Sequence, residues 1–305
     1  MVGAITALAV ALRPSRKPVH SASVPVSPSA RAGLLTDLSM CVGCRACELA
    51  CNRINKLPQP PVPFSDASVF EKERRPTVAA FTVVNRHKGG NGADPIYRKA
   101  QCMHCNEPAC VSACPVAAMV KTPEGPVIWD EKVCIGCRLC MVACPFYIPT
   151  YEYSNPATPK VRKCTLCYQR VVKEGGAPAC VEACPTKALK FGKRGDLITA
   201  ARQRILDNPD KYVDHIYGER EVGGTSLLYI SPVPFEQVGL PAVGSKAYGD
   251  LTWGYLSAIG AVDILGPLVL IGLYRISQRR ENAANQHKSE LSSASGPKKE
   301  GGNEH

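Results

Sequence analysis

Sixteen cysteines lie between Cys41 and Cys184 of this 305-residue chain, and none lies outside that stretch. They form four groups. Cys41, Cys44, Cys47 and Cys51 follow C-x2-C-x2-C-x3-C, and Cys134, Cys137, Cys140 and Cys144 repeat that spacing. Cys102, Cys105, Cys110 and Cys114 widen one gap to four residues, and Cys164, Cys167, Cys180 and Cys184 widen it to twelve. The first two groups carry the spacing that holds iron–sulfur clusters in bacterial ferredoxins. Pro follows Cys114, Cys144 and Cys184, as the C-P ending of that pattern requires. Asn52 follows Cys51 instead, a departure expected only to weaken local rigidity.

Two other chemistries use dense cysteine. Zinc takes four thiolates in a tetrahedron but has no need of the x3-C extension that closes all four groups. Disulfide frameworks belong mostly to short secreted chains with irregular spacing. The pattern therefore points to four [4Fe–4S] clusters and one-electron chemistry, with a zinc-binding, membrane-anchored structural module as the remote alternative. A C-x2-C-x2-C loop bends around one cube. The fourth cysteine follows a helical turn later, faces away from that cube and reaches a neighbouring one, so the groups must work in pairs. Gly43 and Gly136 are expected where the loop passes closest to a cluster, since no Cβ obstructs the approach.

The elements that position these groups are short. Strand-like runs occur at 78–85, Val127–Trp129 and 226–230, a polar helix at 196–207, and a Pro/Gly-rich loop at 231–244. Residues 1–34 read as a leader. Its apolar run, 2–12, is too short for a span and resembles a signal-peptide core without a basic start. Either it is a loose tail or translation begins upstream of the recorded Met1. Residues 251–274 contain one charge, Asp263, and as a helix would extend about 36 Å, enough to cross a bilayer. Trp253, Tyr255 and Tyr274 stand near its ends, where interfacial aromatics belong. Asp263 would face a partner helix, carry a proton or sit there without a role. The polar residues 275–305 read as a disordered tail.

The formal charge of +11 suggests acidic partners, but that count treats cysteine as neutral. Sixteen thiolates on four doubly positive cores would bring it to about +3, so nucleic acid is not expected as a partner. Arg45, Arg138, Arg162, Lys163 and Lys187 lie in or beside the cysteine loops; they would either raise cluster potentials or serve as solvated surface. His104 lies between two cysteines, but a full set of thiols leaves it no place as a ligand. No nucleophile–base set or phosphate loop is visible, and the chain alone is expected to catalyse nothing.

The sixteen-cysteine pattern, over about Leu35 to Leu240, resembles the four-cluster, ferredoxin-like electron-transfer subunits of molybdopterin oxidoreductases and membrane-bound hydrogenases. With the C-terminal span it looks most like the HybA-type subunit of quinone-reducing nickel–iron hydrogenase. The run from Leu228 to Glu236 leans that way, with the beta subunit of formate dehydrogenase-N as near relative and alternative. The resemblance implies an α+β fold of two nested ferredoxin-like dicluster modules plus one transmembrane helix. Residues 35–250 would form the iron–sulfur domain: an outer module carrying Cys41–Cys51 and Cys164–Cys184, with an inner module, 95–150, inserted in it. Carried over by position, Cys41, Cys44, Cys47 and Cys184 would hold one cluster, and Cys51, Cys164, Cys167 and Cys180 a second. Cys102, Cys105, Cys110 and Cys144 would hold a third, and Cys114, Cys134, Cys137 and Cys140 a fourth. The implied partners are a catalytic subunit, nickel–iron hydrogenase first, and an integral membrane quinone-reactive subunit. Relatives exported with folded cofactors carry a twin-arginine signal, which is not seen here.

Orientation follows the Lys/Arg excess beside the span. The twenty residues before Leu251 contain Lys246 alone, whereas the twenty after Tyr274 contain Arg275, Arg279, Arg280 and Lys288. The expectation is a bacterial inner-membrane protein with its cluster domain in the periplasm and its C-terminus in the cytoplasm.

Overall fold

The computed structural model describes residues 26–89, 94–154 and 160–294. The apolar run 2–12 and the rest of the leader before residue 26 lie outside them. Helices and strands are mixed throughout, as the α+β reading expects.

A three-stranded sheet anchors the domain. β1 (Ala32–Asp37) runs through its centre, antiparallel to β8 (Leu189–Lys193) and parallel to β9 (Leu227–Ile230). Side chains alternate along a strand, so each face takes every second residue. Leu34, Leu227 and Tyr229 join the cysteine-containing core with Cys47, Cys180 and Cys184. Leu35, Leu228 and Ile230 face the other way, onto α5 (Arg194–Asp207). That helix presents Leu197, Ala201 and Ile205, four residues apart and therefore on one face. β1 and β9 are buried on both faces, whereas β8 is a partly exposed edge.

Buried polar groups tie this layer together. Asp37 accepts from Arg204 Nη1 at 2.6 Å, Tyr212 Oη at 2.9 Å and Ser39 Oγ at 2.7 Å. Arg194 Nε donates to the Thr225 carbonyl at 2.7 Å, and its Nη2 to Glu219 O at 2.7 Å, pinning the start of α5 to the entry of β9.

The cysteine segments hang from this layer on three hairpins. β2 (Val83–His87) pairs with β3 (Ile96–Ala100), β4 (Met119–Lys121) with β5 (Val127–Trp129), and β6 (Thr150–Tyr151) with β7 (Val161–Arg162). Among the short helices, α1 (Ala46–Ile54) packs on α4 (Ala179–Glu182), and α2 (Ala109–Ser112) on α3 (Leu139–Val142). The first and last cysteine segments of the chain thus meet, and so do the two middle ones. The expected strand at 78–85 is realised late, as β2. The Pro/Gly-rich loop is not open surface: it buries Phe235, Val238 and Leu240 in the main core.

Contacts divide the chain between Asp250 and Leu251. α6 (Tyr248–Ala294) is one helix of 47 residues containing Pro267. Residues 251–274 fall inside it, although the side chains of Trp253 and Tyr255 lie outside the described residues. Among the described residues no helix is long and apolar enough to cross a membrane. Over 275–294 the structure shows helix rather than the disordered tail expected there, since α6 continues to Ala294, while 295–305 lie outside the described residues. Between Arg275 and Ala294 there is no Gly or Pro to stop it, and Gly296 and Pro297 follow just beyond.

Candidate cluster-binding site

The four cysteine groups fold by one local rule. The third cysteine of each, Cys47, Cys110, Cys140 and Cys180, is the second residue of α1, α2, α3 and α4, and all four are buried. After the fourth cysteine, Pro ends the helix by disfavouring helical backbone in the residue before it. The chain then makes the same turn three times. Ala117 N–H donates to Cys114 O at 3.2 Å, Tyr147 to Cys144 at 3.1 Å and Lys187 to Cys184 at 3.3 Å. All three donors have positive φ, between 52° and 55°. Asn52 breaks the rule, and not by loosening the segment as its sequence suggested. With no Pro to stop it, α1 reaches nine residues where the others have four. The Asn52 amide donates to Pro58 O at 2.8 Å, closing the following loop.

Gly43 has φ 71°, and a Cβ there would lie 2.5 Å from the Tyr97 ring. Its bare backbone makes room for Tyr97, which packs against it from β3. Gly136 shares the left-handed conformation at φ 70°.

None of the sixteen cysteines is joined to another in a disulfide. Which thiols lie in one another's field shows how the groups interleave. Burial raises Cys41, and Cys184 and Cys44 raise it further. Burial raises Cys47 strongly, with Cys180 and Cys41 adding to it. Cys51, raised by burial, feels Cys164, Cys180 and Cys167 rather than its own loop. Burial lifts Cys105, then Cys102, Cys110 and Cys144. Burial pushes Cys140 up to about 12, with Cys114, Cys134 and Cys137 reinforcing it. Neighbouring sets feel one another's charge at three places: Cys47 and Cys180, Cys164 and Cys102, and Cys110 and Cys140. Cys44 and Cys137, in the two sets at the ends of this succession, are the exposed cysteines.

Thiols so raised are poor anions unless a cation compensates them. A small cavity is lined by four cysteines, Cys51, Cys164, Cys167 and Cys180, together with Lys99 and the polar side chains of Asn55, Thr82, Gln101 and Thr165. Among the described residues no three His, Cys, Asp or Glu side chains converge tightly enough for one metal ion. These sets are wider than a single-ion shell, and they fit a polynuclear sulfur-ligated group.

Of the five basic residues singled out from sequence, Lys163 is buried, its Nζ donating to the carbonyls of Val127 and Cys164. Arg45 is buried too, but its guanidinium is spent on Glu48 at 3.2 Å and on the carbonyls of Pro63 and Asp66. Arg138 lies over the Tyr151 ring at 4.9 Å, on the exposed side; Lys187 is exposed and Arg162 half-buried. His104 is fully buried, and its Nδ1 accepts from Val127 N–H at 2.9 Å. Burial, then Lys163 and Lys121, holds its pKa well below the usual histidine value, so it is a neutral structural residue. Sequence reasoning missed Lys99 and Lys121. Lys121 donates to His104 O at 3.1 Å, and burial pulls it down to about 7. The available signal was position alone: Lys99 precedes Cys102 by three residues.

Comparison with known proteins gives the same answer from another direction. Two models described as 4Fe-4S dicluster domains match, at residues 40–118 and 93–194. A protein of Nitratidesulfovibrio vulgaris is 47% identical over 259 residues, covering 85% of this chain and 70% of its own length. The hydrogenase-2 operon protein HybA of Escherichia coli O157:H7 is 36% identical over 286 residues, covering 84% of this chain and 86% of its own. The formate dehydrogenase iron-sulfur subunit of Haemophilus influenzae is 35% identical over 201 residues, 64% of this chain and 63% of its own. The cysteine pattern, the thiol sets and these relatives agree: the chain carries four [4Fe–4S] clusters and belongs to the HybA-type family of iron–sulfur electron-transfer proteins.

Proposed function

We propose that this chain is a non-catalytic wire, relaying single electrons between a catalytic oxidoreductase, nickel–iron hydrogenase first, and a quinone-reactive membrane subunit. The clusters supply the one-electron carriers; the protein supplies order, spacing and docking. The ligand sets are the interleaved ones: Cys41, Cys44, Cys47 and Cys184; Cys51, Cys164, Cys167 and Cys180; Cys102, Cys105, Cys110 and Cys144; Cys114, Cys134, Cys137 and Cys140. The observation that carries this reading is the succession of thiol sets, each within the electrostatic reach of the next and ending at the exposed Cys44 and Cys137. Electrons enter and leave a protein where a carrier approaches the surface. Around Cys137 the surface is apolar, with Ile135, Leu139 and Val142 exposed, as a partner-covered face would be.

The nested outer and inner modules pair the segments that pack as α1 with α4 and α2 with α3. Residues 251–274 are the membrane anchor, with the cluster domain periplasmic and the C-terminus cytoplasmic. The exposed Leu268, Val269, Leu270 and Ile271 of α6 favour burial in lipid or against a membrane partner. A molybdopterin oxidoreductase, formate dehydrogenase above all, is the second reading, on the strength of the 35% identity to the Haemophilus influenzae subunit. Purification of the native complex in mild detergent separates the two. Co-purification of a nickel–iron large subunit supports the first, and a molybdopterin subunit replaces it with the second. Protease added to spheroplasts should cut the cluster domain and spare a C-terminal tag; the reverse result would overturn the orientation.

A further inference from the structure

Lys99 sits in β3, opposite Val84 of β2, and its side chain is 2% exposed. Among the described residues its Nζ has no hydrogen-bond partner, unlike those of Lys121 and Lys163, which are both spent on backbone carbonyls. A fully buried ammonium without a partner is expensive unless negative charge lies close by. Here the negative charge is sulfur. Lys99 lines the cavity formed by Cys51, Cys164, Cys167 and Cys180. Its field reaches Cys180, Cys164 and Cys51 of that set, and Cys47 and Cys41 of the neighbouring one. The strand cannot easily withdraw it: Tyr229, fully buried, donates its hydroxyl to the Lys99 carbonyl at 2.8 Å.

We propose that Lys99 is a potential-setting residue, a buried cation held between two thiol sets that raises the reduction potentials of the two clusters bound there. This rests on the ligand sets given above. Reduction adds one negative charge to a cluster that is already anionic with its four thiolates. A fixed cation stabilises the reduced form more than the oxidised one, and low local polarity amplifies the difference. The effect is directional along the wire. It is strongest for the cluster on Cys51, Cys164, Cys167 and Cys180, weaker for the one on Cys41, Cys44, Cys47 and Cys184, and absent for the one on Cys114, Cys134, Cys137 and Cys140. Lys99 thereby creates a step in potential inside a chain of chemically identical carriers.

The test is an anaerobic potentiometric titration, followed by electron paramagnetic resonance, on full-length holoprotein with its iron counted. The variants are Lys99→Met, Lys99→Gln and Lys99→Arg. Lys99→Met should lower one reduction equilibrium constant at least tenfold, about 59 mV for one electron, and a second by less. The remaining transitions should hold, and Lys99→Arg should stay near wild type. Four unchanged transitions, four equal shifts, or an arginine variant shifted like the methionine one would each overturn the proposal. Should Lys99→Met fail to load iron, Lys99→Gln decides: a selective shift supports the cation, and wild-type potentials overturn it. A wild-type iron count well below about sixteen would instead sink the four-cluster reading itself, and this proposal with it.

Discussion

The two ends of the cluster domain are built differently. Around Cys47, Cys180 and Cys184 the protein has a large apolar core, with Leu34, Leu227 and Tyr229 on one face of a sheet and α5 on the other. Around Cys110 and Cys140 the buried apolar partners reduce to Met119, Val127 and Val161, held by two-stranded hairpins. Nearby, Val133, Ile135, Leu139 and Val142 are exposed, Val142 at 82%. An isolated hairpin is marginal in water, so the second region has little to hold it except its thiols and whatever they bind. The difference assigns roles to the metal. In the first region clusters are guests in a folded core; in the second they are the core, and ligand binding there is folding energy.

Stripping iron anaerobically with a chelator gives the largest expected effect. Hydrogen exchange followed by mass spectrometry should show 119–151 losing protection almost completely, while β1, β9 and α5 keep theirs. If both regions lose protection together, the contrast between them is false.

Single ligand substitutions should sharpen the same asymmetry. Cys47→Ser removes a ligand from a site backed by the large core, and iron should fall from about sixteen to about twelve per chain. Cys140→Ser removes one from a site that is its own core. There the loss should spread to the adjacent set, whose Cys110 shares that core, leaving about eight irons. Equal losses would mean that the inner region stands without its clusters.

What could be read in the sequence divides along similar lines. The cysteine spacing carried the cofactor, and the short helices followed from Pro after Cys114, Cys144 and Cys184, because these are local rules. Asn52 was visible as a departure, but the loop that it closes depends on Pro58 accepting its amide six residues on. Lys99 looked like any surface lysine of an alternating strand. Its burial depends on Val84, Tyr229 and four cysteines drawn from distant segments, and no periodicity announces that. Gly43 was read as a place where a Cβ would obstruct, and the structure adds a neighbour that only the fold reveals, Tyr97 of β3. At the C-terminus polarity was taken for disorder, although a run without Gly or Pro is equally good helix.

Ordinary packing substitutions should separate the regions by a smaller margin. Leu197 of α5 is buried between Leu35 and Leu228, and Leu197→Ala should destabilise by about 2–5 kcal/mol through lost contacts and an unfilled cavity. Val142→Ser in the inner region should change stability by only about 0.5 kcal/mol. Thermal unfolding of the loaded proteins, monitored by the visible cluster absorbance and by circular dichroism, checks both. A large loss at Val142 would show that its exposed surface already matters to the isolated chain, against its reading as a docking face.

The smallest expected effect is a proton. His87 lies half-buried at the end of β2, and its Nε2 has no partner. Burial, then the neighbouring Arg98, lowers its pKa, with Glu73 opposing. No cysteine contributes, so this group reports on the outer region without interference from the thiols. A histidine whose pKa is depressed on folding binds protons more readily in the unfolded chain. Its contribution is therefore complete above the unfolded value of about 6.5, and is lost as the pH falls through the folded value. Wild type should lose more stability between pH 7.5 and pH 5.5 than His87→Gln, which has no proton to take up there. The measurement is the difference in unfolding temperature between the two proteins at each pH, with cluster content held equal. Identical pH profiles would mean that His87 is already free in solution. The outer region would then be less tightly closed at β2 than its buried neighbours, Val83 and Val84, indicate.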